Sequence, residues 1–247
     1  MDWQDEGILL SARPLGEANA VVEIFTAVHG RHLGLVRGGR SRRLRPLLQP
    51  GNLLAVTWRA RLADYLGSFA VELLDARAAR MLDSETALAA IGSLAALSKL
   101  LPERDPHPDL YRGAISVLAA LEDGDLWPGL LVRWELALLQ DIGFGLDLGE
   151  CAATGAADEL VFVSPKSGRA VSREAGSPFS DRLLVLPLFL LDAEAAARPE
   201  DVLAGFALTG HFLERHALAP HGLALPQPRE RLLALLARSV PHPQEAP

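Results

Sequence analysis

Over the first eighty residues, apolar and β-branched residues come in short runs parted by glycine and proline, the pattern of strands joined by tight turns. The run at residues 6–13 carries Ile8, Leu9 and Leu10 into the turn Pro14-Leu15-Gly16, and a second run covers 20–26. His29-Gly30-Arg31 turns the chain into a third run at 32–37, which Gly38-Gly39 ends, and two more lie at 53–58 and 66–73. Five short strands at roughly ten-residue spacing predict a small closed barrel of the OB type. An SH3-like barrel has similar spacing and stays open as the alternative.

After about residue 75 the apolar period changes from two to three and four. Asp83-Ser84-Glu85 offers capping chemistry ahead of Ala87, Leu88, Ile91, Leu94, Ala95 and Leu97, which share one face of a helix ending near Leu101-Pro102. Asp105-Pro106-His107-Pro108 reads as a linker, and Leu110, Ala114, Val117, Leu118 and Leu121 resume helical spacing. Pro128 starts a third helix that Gly143 stops. Glycines and a β-like Leu160-Val161-Phe162-Val163 between 145 and 179 predict a small irregular insert. Helical patterning returns at 199–216 and 230–238, a frayed tail is expected at 242–247, and no internal repeat is present. The expected fold is therefore α+β and multidomain. An OB-fold barrel spans 1–80, a helical domain 81–144, the insert 145–180, and helices completing the helical domain 181–247.

Composition narrows the setting. A chain of 247 residues, 49% of them hydrophobic, can bury a sizeable core. The acidic opening Met1-Asp2-Trp3-Gln4-Asp5-Glu6 is unlike a secretion signal, and the apolar stretches at 86–101 and 183–191 fall short of a membrane span. One cysteine, Cys151, excludes an internal disulfide and cannot by itself build a structural zinc site. These features predict a cytoplasmic protein.

Charge is unevenly distributed. The net charge of −7 argues against nucleic-acid binding, but residues 1–80 hold eleven arginines against eight carboxylates, net +3, leaving −10 for the rest. No carboxylate lies between Glu23 and Asp64, a window containing Arg31, Arg37, Arg40, Arg42, Arg43, Arg45, Arg59 and Arg61. The segment Arg37-Gly38-Gly39-Arg40-Ser41-Arg42-Arg43-Leu44-Arg45 puts five guanidinium groups in nine residues. Glycines admit close approach of an anion to backbone amides, Ser41 adds a donor, and arginine binds phosphate bidentately. Arg37, Arg40, Arg42, Arg43 and Arg45 are therefore the candidate contacts to a nucleic-acid backbone. Phe25, Trp58, Tyr65 and Phe69 are the barrel aromatics that could stack on bases, with core packing as the default.

Catalytic chemistry finds little support. Cys151 has no second cysteine two or three residues on and no histidine nearby, so a buried structural thiol is favoured. His211 and His216, at i and i+5, do not share a helix face, and no metal site is expected. Gly143-Phe144-Gly145 follows a helix instead of a strand, and no phosphate-binding loop is encoded. No pair of carboxylates stands out from the solvated helix faces. Three readings remain: a nucleic-acid-binding mediator, a scaffold whose basic loop docks on an acidic partner, and an enzyme, for which nothing is encoded.

Several segments in order carry a resemblance. Residues 20–26 followed by Gly30, then Val36-Arg37-Gly38-Gly39-Arg40-Ser41, Leu48-Gln49-Pro50, Arg133-Trp134-Glu135-Leu136-Ala137-Leu138-Leu139 and Gly143-Phe144-Gly145-Leu146-Asp147-Leu148 before Cys151 resemble the RecO family of bacterial DNA repair and recombination mediators, over about residues 7–238. The resemblance implies an OB-fold domain, a helical domain and a zinc-finger-like insert, without catalytic turnover. It also implies binding of single- and double-stranded DNA, strand annealing, and loading of RecA with RecR onto DNA coated by single-strand-binding protein (SSB), with a functional link to RecF. Its members act in the cytoplasm, at the nucleoid. It assigns Arg37, Arg40, Arg42 and Arg43 to DNA, and Arg133 to the acidic SSB tail, a surface ion pair being the alternative for Arg133. Zinc-containing relatives carry four cysteines in the insert. Here only Cys151 remains, so the insert is expected to fold without metal or other cofactor.

Overall fold

The structure, a computed structural model, describes residues 1–62, 64–122, 124 and 126–239. Spatial contacts divide the chain into two units, residues 1–124 and 125–247. The expected tail at 242–247 lies outside the described residues.

The first unit is built on five strands, β1 (Asp2–Leu15), β2 (Asn19–Thr26), β3 (Gly30–Val36), β4 (Leu53–Arg59) and β5 (Ser68–Asp75). They close in the order β1-β2-β3-β5-β4, with β1 pairing both β2 and β4. A parallel bridge between Leu35 and Ser68 joins β3 to β5. This is the OB arrangement, and it settles the choice against an SH3-like barrel. The strand β1 begins earlier than its apolar run suggests, because Trp3 pairs across to Trp58 even though Asp2, Gln4 and Asp5 around it are polar. At fourteen residues it reaches both neighbours, and a register shift between Leu9 and Ser11 bends it from one to the other.

Leu9, Val22, Ile24, Leu54, Val56, Trp58 and Phe69 fill the barrel, joined by Leu48 from the loop after β3. Helices cover part of the outside, so β2 is buried on both faces and strict alternation fails there. After a single turn, α1 (Arg77–Arg80), come α2 (Glu85–Leu97) and α3 (Pro108–Ala120). Ser84 Oγ accepts a 3.2 Å hydrogen bond from the Ala87 amide and caps α2 as its sequence predicts. Pro108, read as linker, is instead in the first turn of α3, where its missing N–H costs nothing. Tyr111 of α3 lies edge-on to Phe25 of β2, and its hydroxyl donates to the Glu6 carbonyl at 3.3 Å. The change of period near residue 75 thus marks a change of element within one unit.

The second unit opens with α4 (Trp127–Asp141), which has Pro128 in its first turn and is followed by Gly143 at φ +87°. The stretch expected to be irregular holds a small sheet, β6 (Leu160–Val163), β7 (Ala170–Ser172) and β8 (Leu184–Val185), in the order β7-β6-β8, with the one-turn α5 (Arg173–Gly176) between the last two. The sheet runs beyond residue 180, because β8 completes the edge of β6. The helix α6 (Pro199–Phe212) passes into a wider turn at 213–218, and α7 (Gln227–Ser239) ends the described chain. One carboxylate does stand apart from the solvated faces: Glu135 is fully buried on α4, bound to Arg229 of α7 and Thr209 of α6.

Candidate nucleic-acid interface

The arginine segment leaves β3 at Val36 as a series of turns held at both ends. Gly38 takes φ +67°, a left-handed conformation that side chains rarely adopt, and its amide donates to Asn19 Oδ1 at 3.1 Å. The Arg40 amide donates to the Ala18 carbonyl at 3.0 Å and its Nη1 to the Gly16 carbonyl at 2.7 Å, tying the loop to the β1–β2 turn. A further turn forms where the Arg45 amide donates to the Ser41 carbonyl at 3.0 Å. Leu44 and Leu48 anchor that turn on the barrel core. Buried Asn52 fixes the return, donating from Nδ2 to the Pro46 and Leu47 carbonyls at 3.3 and 3.0 Å. With its apolar and amide groups turned inward, the loop leaves Arg37, Arg40, Arg42, Arg43 and Arg45 all exposed.

The five arginines do not form one patch. Arg37, Ser41 and Arg43 line an open cleft of about 690 Å³ whose other wall is the β4–β5 face, including Thr57, Arg59 and Ser68. Arg40 and Arg45 line a cleft of about 420 Å³ on the other side, shared with Arg13, Pro14 and Gln49. Among the described residues, no carboxylate lines either cleft, and Arg42 lines neither. Arg13 and Arg59 thus join the site although they lie outside the arginine segment, because strand pairing carries them there. Beyond Thr57 and Ala70 the first cleft meets another lined by Asp5, Glu6 and Glu72.

Other candidates resolve differently. Arg31 does have a neutraliser: its Nη1 donates to Glu23 across the β2–β3 pair, and Nε and Nη2 reach the Leu101 carbonyl at 3.1 and 3.0 Å. Glu23 is itself buried, so this arginine holds the barrel to the chain after α2. Trp58 and Phe69 pack inside the barrel, Trp58 Nε1 donating to the Leu66 carbonyl at 3.1 Å, while Phe25 is buried on the other face of β2 against Tyr111. Tyr65 is 54% exposed. Trp3, not singled out from sequence, stacks on His29 at 3.9 Å, and His29 pairs with Asp5 at 3.1 Å.

In the second unit, half-buried Arg133 turns Nη2 to the carbonyls of Phe189, Asp192 and Ala193 at 2.6, 3.0 and 3.4 Å and lies over the Phe189 ring. The same stretch leaves Leu188 and Leu191 exposed. Cys151 Sγ accepts from the Ser172 amide at 3.2 Å. Hydrogen bonds from Ser172 and Thr154 draw the thiol down to about 6, while its 1% exposure shuts reagents out. Among the described residues, no three metal-binding side chains gather, and no helix is long and apolar enough to cross a membrane.

Fold and site together define an α+β protein with an OB barrel that presents an exposed arginine ridge. Residues 1–77 match the family described as recombination protein O N terminal, and 82–223 the one described as recombination protein O C terminal. The chain belongs to the RecO family. It is 55% identical over 241 residues to a DNA repair protein RecO of Methylorubrum populi, covering 95% of this chain and 98% of that one. With the protein of the same description from Chelativorans sp. it shares 52% identity over 249 residues, covering 100% of both.

Proposed function

We propose that the chain is a DNA repair and recombination mediator whose arginine ridge grips the phosphate backbone of single- and double-stranded DNA. The observation that carries this reading is the set of five exposed arginines on a pinned loop between two clefts that no described carboxylate lines. Guanidinium groups bind phosphate bidentately without reading sequence, which suits a protein that must act on any strand. The chain then anneals complementary strands and, with RecR, helps load RecA onto SSB-coated single strands, without catalytic turnover of its own. RecF is a further functional link, and the setting is the nucleoid in the cytoplasm.

If Arg37, Arg40, Arg42, Arg43 and Arg45 each meet a phosphate, log affinity for single strands falls against log salt with a slope of about −3.5, at roughly 0.7 per contact. Fluorescence anisotropy with labelled oligonucleotides tests this. An Arg40→Ala, Arg42→Ala, Arg43→Ala variant should bind more weakly, with a shallower slope. Unchanged affinity would instead favour a scaffold whose loop docks on an acidic protein.

The acidic SSB tail is assigned to the surface around Arg133. A cation beside the exposed Leu188 and Leu191 suits a short tail ending in an apolar residue and a carboxylate. Arg133→Ala should weaken binding of an SSB-tail peptide and leave oligonucleotide affinity unchanged, whereas loss of both would mark misfolding.

A further inference from the structure

We propose that the arginine loop separates two single-strand tracks, so that one chain holds two oligonucleotide backbones at once. One backbone lies against Arg37, Arg43 and Arg59, the other against Arg13, Arg40 and Arg45. The proposal rests on the phosphate-grip reading and adds Arg13 and Arg59 to the residues that carry it.

Lining residues separate cleanly. Among the described residues, none lines both clefts, although the loop contributes to each. Along the loop, Arg37, Gly38, Ser41 and Arg43 face one cleft, while Gly39, Arg40 and Arg45 face the other. Each cleft therefore receives two loop guanidiniums and one from a strand, Arg59 at the end of β4 or Arg13 on β1. Three fixed cations with no opposing carboxylate match about three phosphates of one backbone.

The division is built in. Hydrogen bonds from Arg40 to the Gly16 and Ala18 carbonyls pin one flank of the loop, and Leu44, Leu48 and Asn52 hold its base. A loop fixed this way keeps the clefts apart instead of folding down to merge them. The first track is also short. A backbone continuing along β4 and β5 past Thr57 and Ala70 would run into Asp5, Glu6 and Glu72, where like charge opposes it. A strand that meets about three cations and must then leave gains little by lengthening in that cleft, so the second cleft serves a second strand. Neutralising two backbones side by side also lowers the repulsion that two strands meet on approach.

The test uses the full chain and hexamers of thymidylate, titrated by calorimetry and checked by native mass spectrometry. The unaltered protein should bind two hexamers per chain, each with a salt slope of about −2, at roughly 0.7 per contact for three contacts, in place of the slope of about −3.5 that one strand meeting all five loop arginines would give. Arg43→Ala with Arg59→Ala should remove one equivalent, and Arg13→Ala with Arg45→Ala the other, with the remaining site within about twofold of its former affinity. All four arginines are exposed, and circular dichroism of each variant checks that it folds. One hexamer per chain, weakened equally by both double variants, would overturn the proposal in favour of a single strand wrapped over the loop. Two equivalents that survive either double variant would overturn the residue assignment. No binding of any oligonucleotide by the unaltered protein would defeat the phosphate grip itself.

Discussion

Glu135 on α4 accepts two hydrogen bonds from Arg229 on α7, each 2.9 Å long, and both side chains are at most 1% exposed. Ninety-four residues separate the partners. Thr209 Oγ1 donates to the same carboxylate at 2.5 Å, and Arg229 Nη2 also donates to the Phe206 carbonyl at 2.7 Å. The pair joins three helices of the second unit through charge-assisted bonds in a dry interior.

Removing one partner leaves the other charge buried without compensation. Arg229→Met should cost about 3–5 kcal/mol, read from the urea midpoint at neutral pH. The double variant Arg229→Met with Glu135→Leu should recover most of that loss, because a well-packed apolar pair carries no desolvation penalty. A double variant no better than the single one would show that shape, not charge, is what this site requires.

Gly210 lets the guanidinium come close. A Cβ there would stand 2.9 Å from Arg229 Nη1 and 3.0 Å from Nη2, the second of which is already committed to Glu135 and Phe206. Gly210→Ala should destabilise the chain by about 1–3 kcal/mol despite the better helix propensity of alanine. A rise in the thermal midpoint would mean that Arg229 has room to shift.

Arg31 and Arg43 look alike in sequence but should part in experiment. Arg31→Met breaks the bonds to Glu23 and to the Leu101 carbonyl, at a cost on the order of 2 kcal/mol, and should leave oligonucleotide affinity near its starting value. Arg43→Ala should do the reverse. Anisotropy and urea unfolding on the same two variants check both halves.

Acid should weaken the first unit in two steps. Burial holds His32 below its ordinary 6.5, with Arg104 adding to the effect and the Leu33 carbonyl opposing it. Burial pushes the Asp75 carboxyl up, but hydrogen bonds from Arg77 and Arg80 outweigh it and leave the group below its ordinary 3.8. Both folded values lie below the unfolded ones, so the unfolded chain takes up protons first as pH falls. The His32 contribution is full above about 6.5 and is lost as pH drops through its folded value. Asp75 behaves the same way starting from about 3.8. The urea midpoint should therefore decline between pH 7 and 5 in the unaltered chain and stay flatter in His32→Gln. Equal declines in the two would remove His32 from the response.

Legibility followed locality. The cap at Ser84 and the proline opening α4 act within one turn of themselves, and the local sequence reports them, whereas Pro108 at the start of α3 read as linker beside Asp105-Pro106-His107. Trp3 was hidden, because the residues around it are polar and only pairing with Trp58 turns it toward the barrel. The insert read as irregular because its strands are two to four residues long, too short to display alternation. Glu135 sat in a helix like any solvated carboxylate, and only distant Arg229 and Thr209 distinguish it.

By itself the sequence determined that five strands precede a helical chain, and that an arginine-dense loop opening on Gly38-Gly39 follows the third strand. These depend on neighbours a few residues apart, whose periodicity and turn chemistry act locally. Tertiary structure alone decided that the barrel closes through a parallel β3–β5 contact, that Arg31 serves the fold, and that the loop arginines divide between two clefts completed by Arg13 and Arg59. Charge counted along a chain does not say which guanidinium meets a carboxylate and which meets solvent. Strand pairing settles that, by bringing together residues far apart in sequence.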